Sequence, residues 1–91
     1  MIHDKMNKVR TLKLVKIGID IGSTTVKIIM TDEKGNVIFS DYQRHFSDTL
    51  KTVKKLLQDG LKKYPNQIYQ LALTGSGAIS LANHLQVSFV Q

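Results

Sequence analysis

Ile17-Gly18-Ile19-Asp20-Ile21-Gly22-Ser23-Thr24-Thr25-Val26-Lys27-Ile28-Ile29-Met30 is the stretch from which the rest of the chain can be read. An apolar run ends in Asp20, a Gly-Ser-Thr-Thr turn follows, and a second apolar run leaves it. Val15, Ile17, Ile19 and Ile21 alternate with Leu14, Lys16, Gly18 and Asp20, which predicts a strand over 14–21. Thr24 to Thr31 is β-branched almost throughout and predicts a second strand. Joined by so short a turn, the two must be antiparallel. The result is a hairpin with a carboxylate on one arm and a hydroxyl-rich tip. Such a tip suits nucleotide chemistry: its N–H groups can point at phosphate oxygens. Its carboxylate can hold a hydrated magnesium ion or orient a water. Gly22 has no side chain to block a phosphate, whereas Gly18 weakens its strand unless another backbone or a ligand comes close.

Downstream, Asp32-Glu33-Lys34-Gly35-Asn36 reads as a hairpin turn with Gly35 in the left-handed position. Val37 to Phe46 is a third strand, more polar toward its end, as suits a sheet edge. Ser47 is the expected N-cap of a helix, with Asp48 in its first turn. Leu50, Val53, Leu57 and Leu61 recur at helical spacing, and Lys51, Lys54, Lys55, Gln58 and Lys62 take the wet face. Gly60 weakens this helix modestly, and Pro65 closes it. Ile68 to Leu73 predicts a fourth strand, Thr74-Gly75-Ser76-Gly77 a second small-residue turn, Ala78 to Leu85 a short helix, and Val87 to Val90 a fifth strand. The order is strand, strand, strand, helix, strand, helix, strand. The first three strands should be antiparallel neighbours, and the fourth, arriving by a helical crossover, parallel to its partner.

The 91 residues have room for one small domain. Residues 1–12 lack periodicity and are expected to be a flexible tail, leaving 13–91 as the folded unit. No apolar run approaches the roughly 20 residues needed to span a bilayer, and no apolar segment backs a secretory signal. With no cysteine, disulfides and thiolate metal sites are excluded from this chain, and a cytoplasmic protein is the expectation. The net charge of +6 is concentrated in residues 1–16 and in the lysines of the helix. The lysines sit where a helix needs a solvated face, and no aromatics interleave with them, so no nucleic-acid or membrane partner is expected.

The two turns carry the chemistry. Gly22, Ser23, Thr24 and Thr25 supply N–H donors and three hydroxyls beside Asp20, and Lys27 leaves the turn on the next strand. Thr74, Gly75, Ser76 and Gly77 follow a strand and open a helix, whose N-terminus attracts anions. Neither a P-loop nor a Gly-x-Gly-x-x-Gly pattern is present. His3, His45 and His84 lack metal-ligand spacing and are read as solvated or strand-edge residues. Ser23 and Ser76 lack a nucleophile-elbow pattern and are read as phosphate-contacting or turn-capping.

The segment Gly18 to Lys27 resembles the first phosphate motif of the acetate kinase, sugar kinase and actin superfamily. More narrowly, the chain from about Lys16 to Gln91 resembles the N-terminal part of the ATPase activators of 2-hydroxyacyl-CoA dehydratases and benzoyl-CoA reductases. Ser40-Asp41-Tyr42, Arg44-His45-Phe46-Ser47-Asp48, Leu73-Thr74-Gly75-Ser76-Gly77 and Phe89-Val90-Gln91 add to the likeness. The resemblance implies an α/β, ribonuclease-H-like (actin-like ATPase) partial domain with a mixed sheet of about five strands. It implies ATP and magnesium as cofactors, with Asp20 orienting magnesium-bound water and Gly22, Ser23, Thr24 and Thr25 on the β- and γ-phosphates. It also implies a CoA-ester dehydratase or reductase as partner, a homodimer in the complete protein, and an iron–sulfur cluster bridging two subunits through cysteines. The superfamily's second phosphate motif, an adenosine motif and the cluster cysteines are absent here, and Ala78 stands where many relatives carry Arg. The chain is therefore expected to be a fragment, split gene product or excised domain that does not hydrolyse ATP alone. The alternatives are a vestigial interaction module of the same fold and the lobe of a sugar-kinase-like phosphotransferase.

Overall fold

The computed structural model describes residues 12–79. The expected tail through residue 11, most of the second helix and the fifth strand lie outside the described residues. Within them the chain forms β1 (Leu14–Ile21), β2 (Thr25–Thr31), β3 (Val37–Arg44), α1 (Thr49–Lys63) and β4 (Ile68–Thr74). One sheet runs in the order β3-β2-β1-β4. β1 is antiparallel to β2, β2 is antiparallel to β3, and β4 is parallel to β1. These are the directions the connections demand, since a parallel neighbour needs a crossover and α1 supplies it.

Period-two alternation gives the sheet two unlike faces. Ile17, Ile19 and Ile21 on β1 stand directly across from Met30, Ile28 and Val26 on β2, and all six are buried. Leu71 and Leu73 on β4 extend this apolar face beside Ile17 and Ile19. α1 covers it with Val53 and Leu56, while Leu50, Leu57 and Leu61 pack half-buried around them. The buried line of the helix is thus Thr52, Val53, Leu56 and Gly60, shifted from the expected stripe of leucines. Gly60 explains the shift. A Cβ there would run into Met30 Sδ and stand 3.3 Å from the Phe39 ring. The residue that weakens the helix by about 1 kcal/mol relative to Ala is the one that lets the helix settle onto β2 and β3. Truncating Leu56 to Ala would open a cavity there and cost about 2–5 kcal/mol.

Several element ends differ from expectation. β2 starts at Thr25 and not Thr24, and β4 runs on to Thr74. β3 stops at Arg44, short of Phe46, because Phe46 (φ 47°) and Ser47 (φ 65°) are both left-handed and turn the chain out of the sheet. Ser47 therefore does not cap α1. Asp48 does: its carboxylate accepts the Lys51 N–H at 3.3 Å, and no acidic residue stands in the first turn. Lys62 and Lys63 occupy the last turn as the helix dipole favours. Beyond it, the Tyr64 hydroxyl donates to the Ile38 carbonyl at 2.8 Å and ties the end of α1 to β3.

Candidate functional site

The face of the sheet away from α1 carries the exposed partners of the core residues. One row of it crosses all four strands. Tyr42 pairs with Lys27, Lys27 with Asp20, and Asp20 with Thr74. Asp20 and Thr74 are joined by more than register, since the Thr74 hydroxyl donates to Asp20 Oδ1 at 3.1 Å. Residues 54 apart in sequence meet because β1 is central and has both β2 and β4 as neighbours. The row lies at the end of the sheet where both small-residue turns emerge. Lys27, whose direction the sequence left open, is exposed on the same side as Asp20.

The second turn is packed against the end of β1. Gly75 takes φ 98°, a conformation L side chains rarely adopt, and a Cβ there would collide with the Ile21 carbonyl and stand 2.7 Å from Asp20 Oδ1. A Cβ on Gly77 would stand 2.7 Å from Ile21 Cγ2. The Gly77 N–H donates to the Ile21 carbonyl at 3.3 Å, and the Ala78 N–H to the Gly75 carbonyl at 3.1 Å as a helical turn begins. The glycines of Thr74–Gly77 are thus explained by close approach to Ile21 and Asp20. The N–H groups of Gly75 and Ser76 have no partner among the described residues.

The first turn is partly committed to its own structure. The Gly22 N–H donates to the Thr25 carbonyl at 2.8 Å, closing the hairpin, so Gly22 contributes an uncluttered surface and no donor. Ser23 and Thr24 are exposed, and their N–H groups have no partner among the described residues. The expectation that this tip offers several donors holds for Ser23 and Thr24 and fails for Gly22. The turn is held from behind by His45, a residue whose sequence context predicts a solvated or strand-edge position. His45 is only 9% exposed, and its ring faces the Gly22 carbonyl.

Magnesium prefers few carboxylates and completes its shell with water and phosphate oxygens. Asp20 fits that requirement: it is exposed, its Oδ1 has one hydroxyl partner, its Oδ2 has none among the described residues, and Gly75 leaves open the space beside it. The described residues contain no cluster of three or more His, Cys, Asp or Glu, so an ion at Asp20 would take its remaining ligands from water and phosphate. An iron–sulfur cluster does not fit this chain, which has no cysteine to hold one.

No protein-family model and no curated protein matches the sequence. Solved structures do match its shape. Gluconate kinase from Lactobacillus acidophilus superposes with a TM-score of 0.65 at 17% identity, over 70% of this chain and 16% of that one. A reductive activator for a corrinoid, iron–sulfur protein superposes with a TM-score of 0.65 at 16% identity, over 77% of this chain and 16% of that one. Component A of (R)-2-hydroxyglutaryl-CoA dehydratase from Acidaminococcus fermentans superposes with a TM-score of 0.61 at 20% identity, over 84% of this chain and 29% of that one.

The fold is ribonuclease-H-like, of the actin-like kind. At these identities the likeness establishes the fold alone. The chain spans between 16% and 29% of the length of these three proteins. No helix among the described residues is long and apolar enough to cross a membrane.

Proposed function

We propose that the chain is the phosphate-binding segment of an ATP-dependent activator of a CoA-substrate dehydratase or reductase. The observation that carries the reading is the convergence of Asp20, the Gly22–Thr25 turn and the Thr74–Gly77 turn at one end of the sheet, with Thr74 bonded to Asp20. Among proteins of the same fold are a dehydratase component and a reductive activator, which supports that class. Asp20 would hold magnesium-bound water, and the N–H groups and hydroxyls of Ser23 and Thr24, with Thr25, would receive the phosphate oxygens of a bound nucleotide. Gly22 and Gly75 keep side chains out of the phosphate path, and the N–H groups of Gly75 and Ser76 meet the same anion from the other side. Thr74 orients the Asp20 carboxylate. Lys27, beside Asp20 in the row, adds a cation toward the phosphates. Bound magnesium would offset phosphate charge and polarise the terminal phosphoryl group.

These residues form one side of a nucleotide cleft, so binding by the chain itself is weak and turnover requires the second phosphate motif that it lacks. A sugar-kinase lobe is the second reading, favoured by the fit to gluconate kinase, which matches that of the corrinoid activator. Equilibrium dialysis of the chain against labelled ATP, with and without magnesium, tests the shared claim. The expected result is about millimolar binding that needs magnesium and weakens about tenfold in Asp20→Ala. Binding indifferent to both magnesium and Asp20 would overturn it and leave the fold as an interaction module.

A further inference from the structure

His45 is buried between the tip of the β1–β2 hairpin and the residues that lead into α1. Its backbone N–H donates to the Thr24 carbonyl at 3.0 Å, across the tip of the β1–β2 hairpin. Its Nε2 lies 3.1 Å from the Gly22 carbonyl in the same tip. Its Nδ1 accepts the Ser47 N–H at 3.1 Å, and its own carbonyl accepts the Asp48 N–H at 2.7 Å as the chain enters α1. These partners fix the state of the ring. A backbone N–H can only donate, so Nδ1 must be an acceptor. A carbonyl can only accept, so Nε2 must carry the proton. The ring is therefore the neutral Nε2–H tautomer. A doubly protonated ring would present a second donor to Ser47 and lose that bond. The left-handed Phe46 (φ 47°) and Ser47 (φ 65°) curl the chain around the imidazole, which brings the Ser47 N–H back onto Nδ1. Non-glycine residues seldom adopt that conformation, and two in succession serve this wrap.

We infer that His45 is a positioning residue: its Nε2–H grips the Gly22 carbonyl and sets the Gly22–Thr25 turn in the conformation that leaves the Ser23 and Thr24 N–H groups facing outward. Fastening of both Gly22 and Thr24 from behind is what a phosphate loop needs, because donors that are fixed beforehand lose less freedom on binding. The phosphate part of this inference rests on the function proposed above; the positioning of the turn does not. The inference also explains why a hydroxyl-rich tip with few internal bonds holds one shape. Among the described residues the tip itself has one backbone hydrogen bond, Gly22 to Thr25, and His45, just past the end of β3, adds two more.

Two conservative variants separate the ring's two bonds. Gln reaches as far as Nε2 and can donate to the Gly22 carbonyl, and it does not titrate. Asn places its oxygen where Nδ1 stands and can accept the Ser47 N–H, but it falls short of Gly22. Amide hydrogen exchange at Gly22, whose N–H is bonded to Thr25, reads the order of the tip, and exchange at Leu56 reads the core. His45→Asn should speed Gly22 exchange about tenfold with Leu56 unchanged, while His45→Gln should restore Gly22 to within about twofold of the original chain. Equal behaviour of the two variants at Gly22 would overturn the inference. So would a nitrogen spectrum of the original chain that shows the ring protonated on Nδ1 alone. Magnesium–ATP binding, measured in parallel, should weaken in the Asn variant and not in the Gln variant. If the original chain binds no nucleotide while the exchange pattern holds, the function reading fails and the positioning role stands.

Discussion

Two aspartates stand at opposite ends of the β1–β2–β3 meander, each beside a tight turn, and they are held in opposite ways. Asp32 is saturated by its own turn. Its Oδ1 accepts the N–H groups of Lys34 and Asn36, each at 2.9 Å, and its Oδ2 accepts the Asn36 side-chain amide at 3.1 Å. Those bonds, led by the Asn36 N–H, hold its pKa below the ordinary aspartate value of 3.8. Asp20 has one partner among the described residues, the Thr74 hydroxyl, and a glycine beside it whose missing side chain leaves the carboxylate room. A carboxylate whose lone pairs are spent on its own loop is there to shape the loop. One that keeps an open oxygen between two cradle-like turns is free for a cation or a water. The residue type is the same at the two places, and the difference lies in the partners each turn and each fold position supplies: Asn36 and the Lys34 backbone at one, the Thr74 hydroxyl at the other.

The two left-handed glycines sharpen that contrast most strongly. Gly75→Ala forces a Cβ into the Ile21 carbonyl and toward Asp20, and should cost about 3 kcal/mol in urea denaturation. Gly35 also has positive φ, 87°, but a Cβ there meets nothing within 4 Å, so Gly35→Ala should cost only the backbone term of about 1 kcal/mol. Equal costs would mean that the second turn is not packed on β1 as described. Asp20→Ala should weaken magnesium–ATP binding about tenfold yet change stability by less than about 1 kcal/mol, since it removes one exposed hydroxyl bond. A variant that unfolds would make Asp20 structural, like Asp32.

The smallest effect is expected at Asp32 and depends on pH. Because its folded pKa lies below its unfolded one, its contribution to stability is present above the unfolded value. That contribution is lost as pH falls through the folded one. Acid titration of the thermal midpoint should therefore show a shallow decline starting below about pH 4 that Asp32→Asn flattens. An unaltered acid limb in that variant would remove Asp32 from the account.

Most of the sheet was legible because its signals are local. Strict alternation in β1 and the short turns fixed strand identity and direction, and Gly35 announced its own φ. What escaped depended on tertiary partners. Gly60 reads as a helix defect until Met30 and Phe39 are seen beside it. Ser47 reads as the better N-cap until its left-handed backbone shows that it is wrapped around His45. His45 escapes because a single histidine carries no spacing signal, and its bonds to Gly22 and Thr24 cross to a hairpin tip that only the fold brings beside it. The candidate site was legible as two separate turns. Their meeting at Asp20 follows from β4 pairing parallel to β1, and the commitment of the Gly22 N–H to the hairpin was visible only in the geometry.

The central claim is that the end of the sheet bearing Asp20, and not the end bearing Asp32, receives phosphate and magnesium. Titrating the isotope-labelled chain with magnesium–ATP and following every backbone amide tests it most directly. The account predicts saturable shifts concentrated at Ser23, Thr24, Gly75 and Ser76, with Lys34 to Asn36 unmoved and the midpoint raised about tenfold in Asp20→Ala. Shifts centred on the lysine face of α1 or on the Asp32 turn, with the two small-residue turns silent, would contradict it.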